Sequence, residues 1–139
     1  MHVLILGARA PAALEWARAF DACGWRVTVA DSLAWPLARA SRAAHAFVRL
    51  PEPRTQPGAW TEALRRHVLR EGVDWVLPTC EEVFYLAHGR AHLPCAVATS
   101  DFALLHALHD KHRFAQASAA WPIAAPPTQR LDSTAALRA

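Results

Sequence analysis

The run His2-Val3-Leu4-Ile5-Leu6 ends at Gly7, and a helical pattern opens at Pro11. A continuous apolar stretch of that length suits a central parallel strand covered on both faces. From Pro11 the pattern changes period. Leu14, Ala17, Arg18 and Phe20 recur near helical spacing, Pro11 suits a first helical turn, and Gly24 suits the stop. Arg26-Val27-Thr28-Val29-Ala30 then reads as a second strand closed by Asp31. The unit is strand, helix, strand over about thirty residues, the size of a parallel crossover.

The same alternation continues outward. A short helix is expected within 33–42 after Pro36, and a third strand over 45–49. Pro51, Pro53, Pro57 and Gly58 predict a loop. Trp60, Leu64, Val68 and Leu69 predict a helix that ends at Gly72. A fourth strand over 73–77 runs into Pro78 and Thr79, and a helix is expected from Glu81 to about Arg90. A short edge strand over 95–98 precedes a helix carrying Phe102, Leu104, Leu105 and Leu108, capped by Ser100 or Asp101. Asp110 caps a further helical stretch with Phe114 and Ala117. Trp121-Pro122-Ile123-Ala124-Ala125-Pro126-Pro127-Thr128 predicts an extended segment, because two proline clusters so close end any helix. Strands alternating with helices predict an α/β fold: a Rossmann-like open, mostly parallel sheet of about five strands with helices on both faces. The expected division is a domain over 1–109 and a separate region over 110–139.

Composition narrows the function. The 139 residues are 53% hydrophobic and 19% charged, a globular balance. No apolar run reaches the roughly 20 residues of a membrane span, and the N-terminus reads as a buried strand instead of a leader. The net charge is +3, and the basic residues are scattered, with Arg65 and Arg66 the one adjacent pair. Scatter of that kind argues against nucleic acid, which asks for a basic stripe with interleaved aromatics. Cys23, Cys80 and Cys95 are odd in number and lack a Cys-x-x-Cys spacing, which fits a reducing cytoplasm. Cys23 and Cys95 are expected as small buried hydrophobes. His106, His109 and His112 recur every third residue, and His88 and His92 are four apart around Gly89. His88 and His92 have no evident acidic partner, and His106 and His109 straddle an expected break between two helices, so no metal site is expected.

In open parallel sheets ligands bind outside the carboxyl ends of the strands. Three turns lie there: Gly7-Ala8-Arg9, Asp31, and Pro78-Thr79-Cys80-Glu81-Glu82. A dinucleotide fingerprint needs three glycines and an acidic residue further on. Gly7 and Asp31 are in place, but Arg9 and Ala12 stand at the other glycine positions, and a long Arg9 side chain obstructs close approach of a pyrophosphate. Glu81 and Glu82 have two readings. Carboxylates at a helix start are favoured by the helix dipole, or one of them faces the crevice and binds a cationic substrate group. No nucleophile elbow or P-loop is present. The six tryptophans are spread along the chain, which suits core and rim packing more than one aromatic cage.

Three segments together resemble one family. Leu4-Ile5-Leu6-Gly7-Ala8-Arg9-Ala10-Pro11 with Gly24-Trp25-Arg26-Val27-Thr28-Val29-Ala30-Asp31 is similar to the first β-α-β unit of carbamoyl-phosphate-synthase-like ATP-grasp proteins. Leu77-Pro78-Thr79-Cys80-Glu81-Glu82-Val83-Phe84 resembles that group's turn after the fourth strand. Asp110-Lys111-His112-Arg113-Phe114, with Pro122 and Pro126-Pro127-Thr128, resembles its Asp-Lys-x-x-Phe helix and the proline strand behind it. The resemblance implies an N-terminal pre-ATP-grasp domain over 1–109 and the incomplete start of the ATP-grasp region over 110–139. In such enzymes ATP activates a carboxylate as an acyl phosphate, which an amine or other nucleophile attacks. Lys111, the only lysine, matches a lysine that reaches the ATP phosphates. Gly7, Arg9, Thr79, Glu81 and Glu82 match the edge of the substrate cleft. ATP and Mg2+ are implied for the whole enzyme, with a small carboxylate as substrate. The second phosphate lysine and the metal-binding carboxylates would follow Thr128, so this chain alone is expected to bind neither cofactor and to lack ligase activity. Where relatives commonly carry glycine before the proline segment, Ala120 and Trp121 stand here. Apolar surface meant for the clamp is then exposed. Residues 110–128 are expected to be mobile or to pack against a neighbouring chain, a homodimer being one such assembly. The alternative is a free-standing Rossmann-like module that binds a nucleotide or metabolite.

Overall fold

A computed structural model of the chain describes residues 1–122, 126–133 and 135. It divides into two compact units, Met1–Ser100 and Asp101–Ala139. The first unit is built on five strands: β1 (His2–Leu6), β2 (Arg26–Asp31), β3 (Ala46–Arg49), β4 (Trp75–Pro78) and β5 (Ala96–Val97). Their spatial order is β3-β2-β1-β4-β5, and every pairing is parallel. The crossovers carry α1 (Pro11–Ala22), α2 (Pro57–Glu71) and α3 (Glu82–Gly89), with 3-10 turns at Leu37–Ala40 and Arg90–His92.

Strand alternation builds two cores from one strand. Val3 and Ile5 of β1 join Ala13, Ala17, Val27 and Val29 on the α1 side. Leu4 and Leu6 turn to the other face, against Trp60, Leu64 and Val68 of α2 and Leu86 of α3. Neighbouring residues of β1 thus enter opposite layers, which is why its sequence reads as unbroken apolar and not as alternating. Each fully buried Leu or Ile contributes about 1.5–3 kcal/mol by leaving water. β1 is therefore the keystone of both layers.

Several sequence expectations are corrected in detail. Pro57 and Gly58 are not loop but the first turn of α2, because proline needs no amide partner there. The fourth strand starts at Trp75, two residues later than the apolar pattern suggests. Asp74 instead accepts a 2.7 Å bond from the His2 backbone amide and so closes the amino end of β1. Cys23 is exposed, since it follows α1 as its C-cap and does not reach the core.

In the second unit, α4 (Phe102–His109) and α5 (Lys111–Ser118) are both capped by aspartate side chains. Asp101 accepts from the Leu104 amide at 2.9 Å and Asp110 from the Arg113 amide at 2.9 Å. Phe114 packs edge-on against Trp121, with ring centroids 5.6 Å apart. The extended segment expected over 121–128 includes Ile123, Ala124 and Ala125, which lie outside the described residues. Among the described residues, no helix is long and apolar enough to cross a membrane.

Candidate functional site

The strand order changes direction between β1 and β4, and the turns that leave these two strands meet there. That is where an open parallel sheet leaves a crevice. Gly7 leaves β1 with φ +76°. A Cβ at that position would lie 2.8 Å from Thr79 Oγ1 and 3.2 Å from the Cys80 Cβ. Thr79 in turn donates its hydroxyl to the Leu6 carbonyl at 2.7 Å. Glycine at position 7 is thus demanded by backbone conformation and by the neighbouring turn together.

Arg9 organises the rest. Its backbone amide donates to Asp31 Oδ2 at 2.8 Å, and its Nη1 lies 3.2 Å from Asp31 Oδ1 and 2.6 Å from Glu82 Oε1. One guanidinium therefore joins the ends of β1 and β2 to the start of α3. The Asp31 side chain is wholly buried and that of Glu82 is 6% exposed, whereas that of Arg9 is 36% exposed. Burial works against the Arg9 charge, but the hydrogen bond and charge of Glu82 and the charge of Asp31 outweigh it and hold the guanidinium above its ordinary range. Burial, against the pull of Arg9, pushes the Cys80 thiol up.

Asp31 is well satisfied, since it also accepts from the Leu33 amide at 3.0 Å. Glu82 is not: its Oε2 is buried and has no hydrogen-bond partner. Glu82 lines a cleft of about 10 Å³ together with Gly7, Asp31, Ser32, Pro53 and Trp60. That is room for about one water molecule.

Four of the residues singled out in the sequence come together here: Gly7, Arg9, Thr79 and Glu82. Glu81 does not join them. It is exposed and precedes α3 as an N-cap residue without a side-chain cap bond. Lys111 belongs to the second unit, exposed at the first position of α5. There it lines a groove of about 210 Å³ with Leu108, Phe114, Ala115, Pro126 and Thr128. Among the described residues no group of His, Cys, Asp and Glu is placed to hold a metal ion.

The turn also speaks to the dinucleotide reading. The Ala8 amide donates to the Ala30 carbonyl, the Arg9 amide to Asp31, and the Ala10 amide to the Gly7 carbonyl. Pyrophosphate binding uses free amides at such a turn. Here the three amides that follow Gly7 are all engaged within the protein.

Sequence reasoning missed two buried histidines, His2 at the amino end of β1 and His67 on α2. His2 Nε2 meets Thr28 Oγ1 at 2.8 Å, and His67 Nδ1 accepts from Arg70 Nη2 at 3.2 Å. His67 Nε2 is buried without a partner. The only signal for His2 was its place inside an apolar run, and His67 was hidden in a helix rich in charged residues.

No family model and no curated protein matches the chain. Solved structures do. An L-amino acid ligase from Bacillus licheniformis is similar over 85% of this chain, with TM-score 0.65 and 16% identity. Glycinamide-RNase-transformylase T from Mycobacterium tuberculosis is similar over 88%, with TM-score 0.62 and 18% identity. The biotin carboxylase subunit of a pyruvate carboxylase is similar over 98%, with TM-score 0.60 and 16% identity. The chain spans 29%, 35% and 31% of these proteins respectively. At such identities the likeness is one of fold: a Rossmann-like α/β domain on a five-stranded, all-parallel sheet.

Proposed function

We propose that this chain is the substrate-side N-terminal domain of an ATP-grasp carboxylate ligase, joined to the first helices of the ATP-binding region. The observation that carries the reading lies in the second unit. The Asp110-Lys111 helix and the Pro126–Thr128 segment, two stretches of the same family resemblance, line one groove, with Lys111 beside it. An exposed ammonium at the first turn of a helix is suited to meet phosphate oxygens as a point charge.

Bound ATP would supply the phosphoryl group. Lys111 fits a phosphate contact, and no other described residue of that groove is charged. The described residues do not fit Mg2+, because no three or more His, Cys, Asp or Glu side chains among them are placed to hold a metal ion. No step is therefore assigned through either group, and positioning and charge neutralisation of the transferred phosphoryl group call for more than Lys111. We therefore expect no ligase activity from these 139 residues alone. The three cysteines, all free thiols, support a reducing cytoplasm as the setting. The crevice at Gly7, Arg9, Thr79 and Glu82 would form the substrate edge.

Isothermal titration of Mg-ATP into this chain, and into a form extended through a complete ATP-grasp region, tests the reading. Binding by the extended form alone, weakened by Lys111→Ala, is expected. Tight nucleotide binding by the 139-residue chain would overturn it in favour of a free-standing binding module.

A further inference from the structure

We infer that Glu82 is the receptor for a primary ammonium group, and that the crevice selects ligands by the size of that cationic head. The inference rests on the substrate-edge reading above and gives that edge a ligand class. Arg9 brings one positive charge to two buried carboxylates, Asp31 and Glu82, so the cluster keeps an excess of one negative charge. Asp31 spends its oxygens on Arg9 and on the amides of Arg9 and Leu33. The excess therefore falls on Glu82, whose Oε2 is buried with no partner. A buried carboxylate oxygen without a donor is costly, and a charged donor repays more than a neutral one.

The shape of the cleft narrows the class. Its volume of about 10 Å³ admits one water-sized group beside Gly7, Asp31 and Ser32. An –NH3+ head is about that size and carries three donors. A quaternary ammonium is larger and has none. Trp60 and Pro53 also line the cleft, and a volume of about 10 Å³ leaves no room for a hydrated cation shell. Arg9 acts as a positioning residue: it holds Oε1 at 2.6 Å, while Oε2 has no hydrogen-bond partner.

The test uses the 139-residue chain and amide NMR at constant ionic strength. The amides of Arg9 and Leu33, both bonded to Asp31, report on the cluster. Methylammonium is expected to shift them saturably, and tetramethylammonium is not. Glu82→Gln should weaken the methylammonium response by roughly tenfold or more, as expected for losing a charged acceptor, and Glu81→Gln should leave it intact. Equal responses to both cations, no saturable response to methylammonium, or an unchanged response in Glu82→Gln would each overturn the inference. If Glu82→Gln fails to fold, the contrast between the two cations on the unaltered chain still decides. ATP is absent from this experiment, so its outcome is separate from that of the nucleotide titration.

Discussion

Replacing Gly7 with alanine should destabilise the first unit by about 3 kcal/mol. The figure has two parts. An L-residue held in the left-handed region costs about 1–2 kcal/mol, and φ at Gly7 is +76°. The new methyl would also sit 2.8 Å from Thr79 Oγ1, a contact that something must relieve. Thr79 is not free to swing away, because its hydroxyl is bonded to the Leu6 carbonyl at 2.7 Å. Breaking that bond, or shifting the turn, adds about 1–3 kcal/mol. Gly24 separates the two parts. Its φ is +75°, yet a Cβ there would meet nothing within 4 Å. Gly24→Ala should therefore carry the conformational cost alone, about 1–2 kcal/mol. Urea unfolding followed by far-UV circular dichroism measures both variants, with unchanged slope as the check that the unfolded states match. Adding Thr79→Ala should recover part of the Gly7→Ala loss, because it removes the atom in the way. Equal losses in Gly7→Ala and Gly24→Ala would refute the steric argument and with it the close meeting of the β1 and β4 turns.

Two further outcomes follow from the charges. Arg9→Met leaves Asp31 and Glu82 buried without their cation, and should cost about 2–3 kcal/mol, less than a fully buried pair because Arg9 is 36% exposed. In that background Glu82→Gln should cost less than it does in the unaltered chain; a larger cost in urea unfolding would mean that Arg9 is not there to neutralise Glu82. Burial is the largest influence on both His2 and His67 and holds each below the ordinary histidine range. A proton therefore binds the unfolded chain more readily. The stability they contribute is complete above the ordinary range and is lost as pH falls through it toward the depressed folded value. Unfolding compared at about pH 7.5 and about pH 5.5 should show a loss on acidification that is smaller in His67→Leu; an equal loss would place the sensitivity elsewhere.

The order of elements was legible because it is written in local pattern. β1 reads from five consecutive residues, α1 from a proline start and a glycine stop, and the parallel sheet from their alternation. The misread elements are those where tertiary partners override local signals. Pro57 and Gly58 look like a loop, yet the chain uses the proline as a helix start. Cys23 has an apolar neighbourhood in sequence, yet it falls just past the end of α1 and stays exposed.

The candidate crevice is legible in the sequence as a meeting of turns but not as chemistry. Parallel-sheet geometry alone nominates the turns after β1, β2 and β4, and each does contribute to the crevice. What sequence cannot supply is the choice among neighbours. Glu81 and Glu82 are adjacent and identical in type, and either could be drawn to a helix start by its dipole. The fold separates them: Glu82 meets Arg9, some seventy positions earlier in the chain and on another turn, whereas Glu81 is exposed. Arg9 itself reads in sequence as an obstruction where a glycine would let a pyrophosphate approach. In the fold the same residue bonds both Asp31 and Glu82, and one carboxylate oxygen of Glu82 is left without a partner. On the ammonium reading proposed above, the departure from the dinucleotide pattern is a change in the sign of the charge the crevice receives.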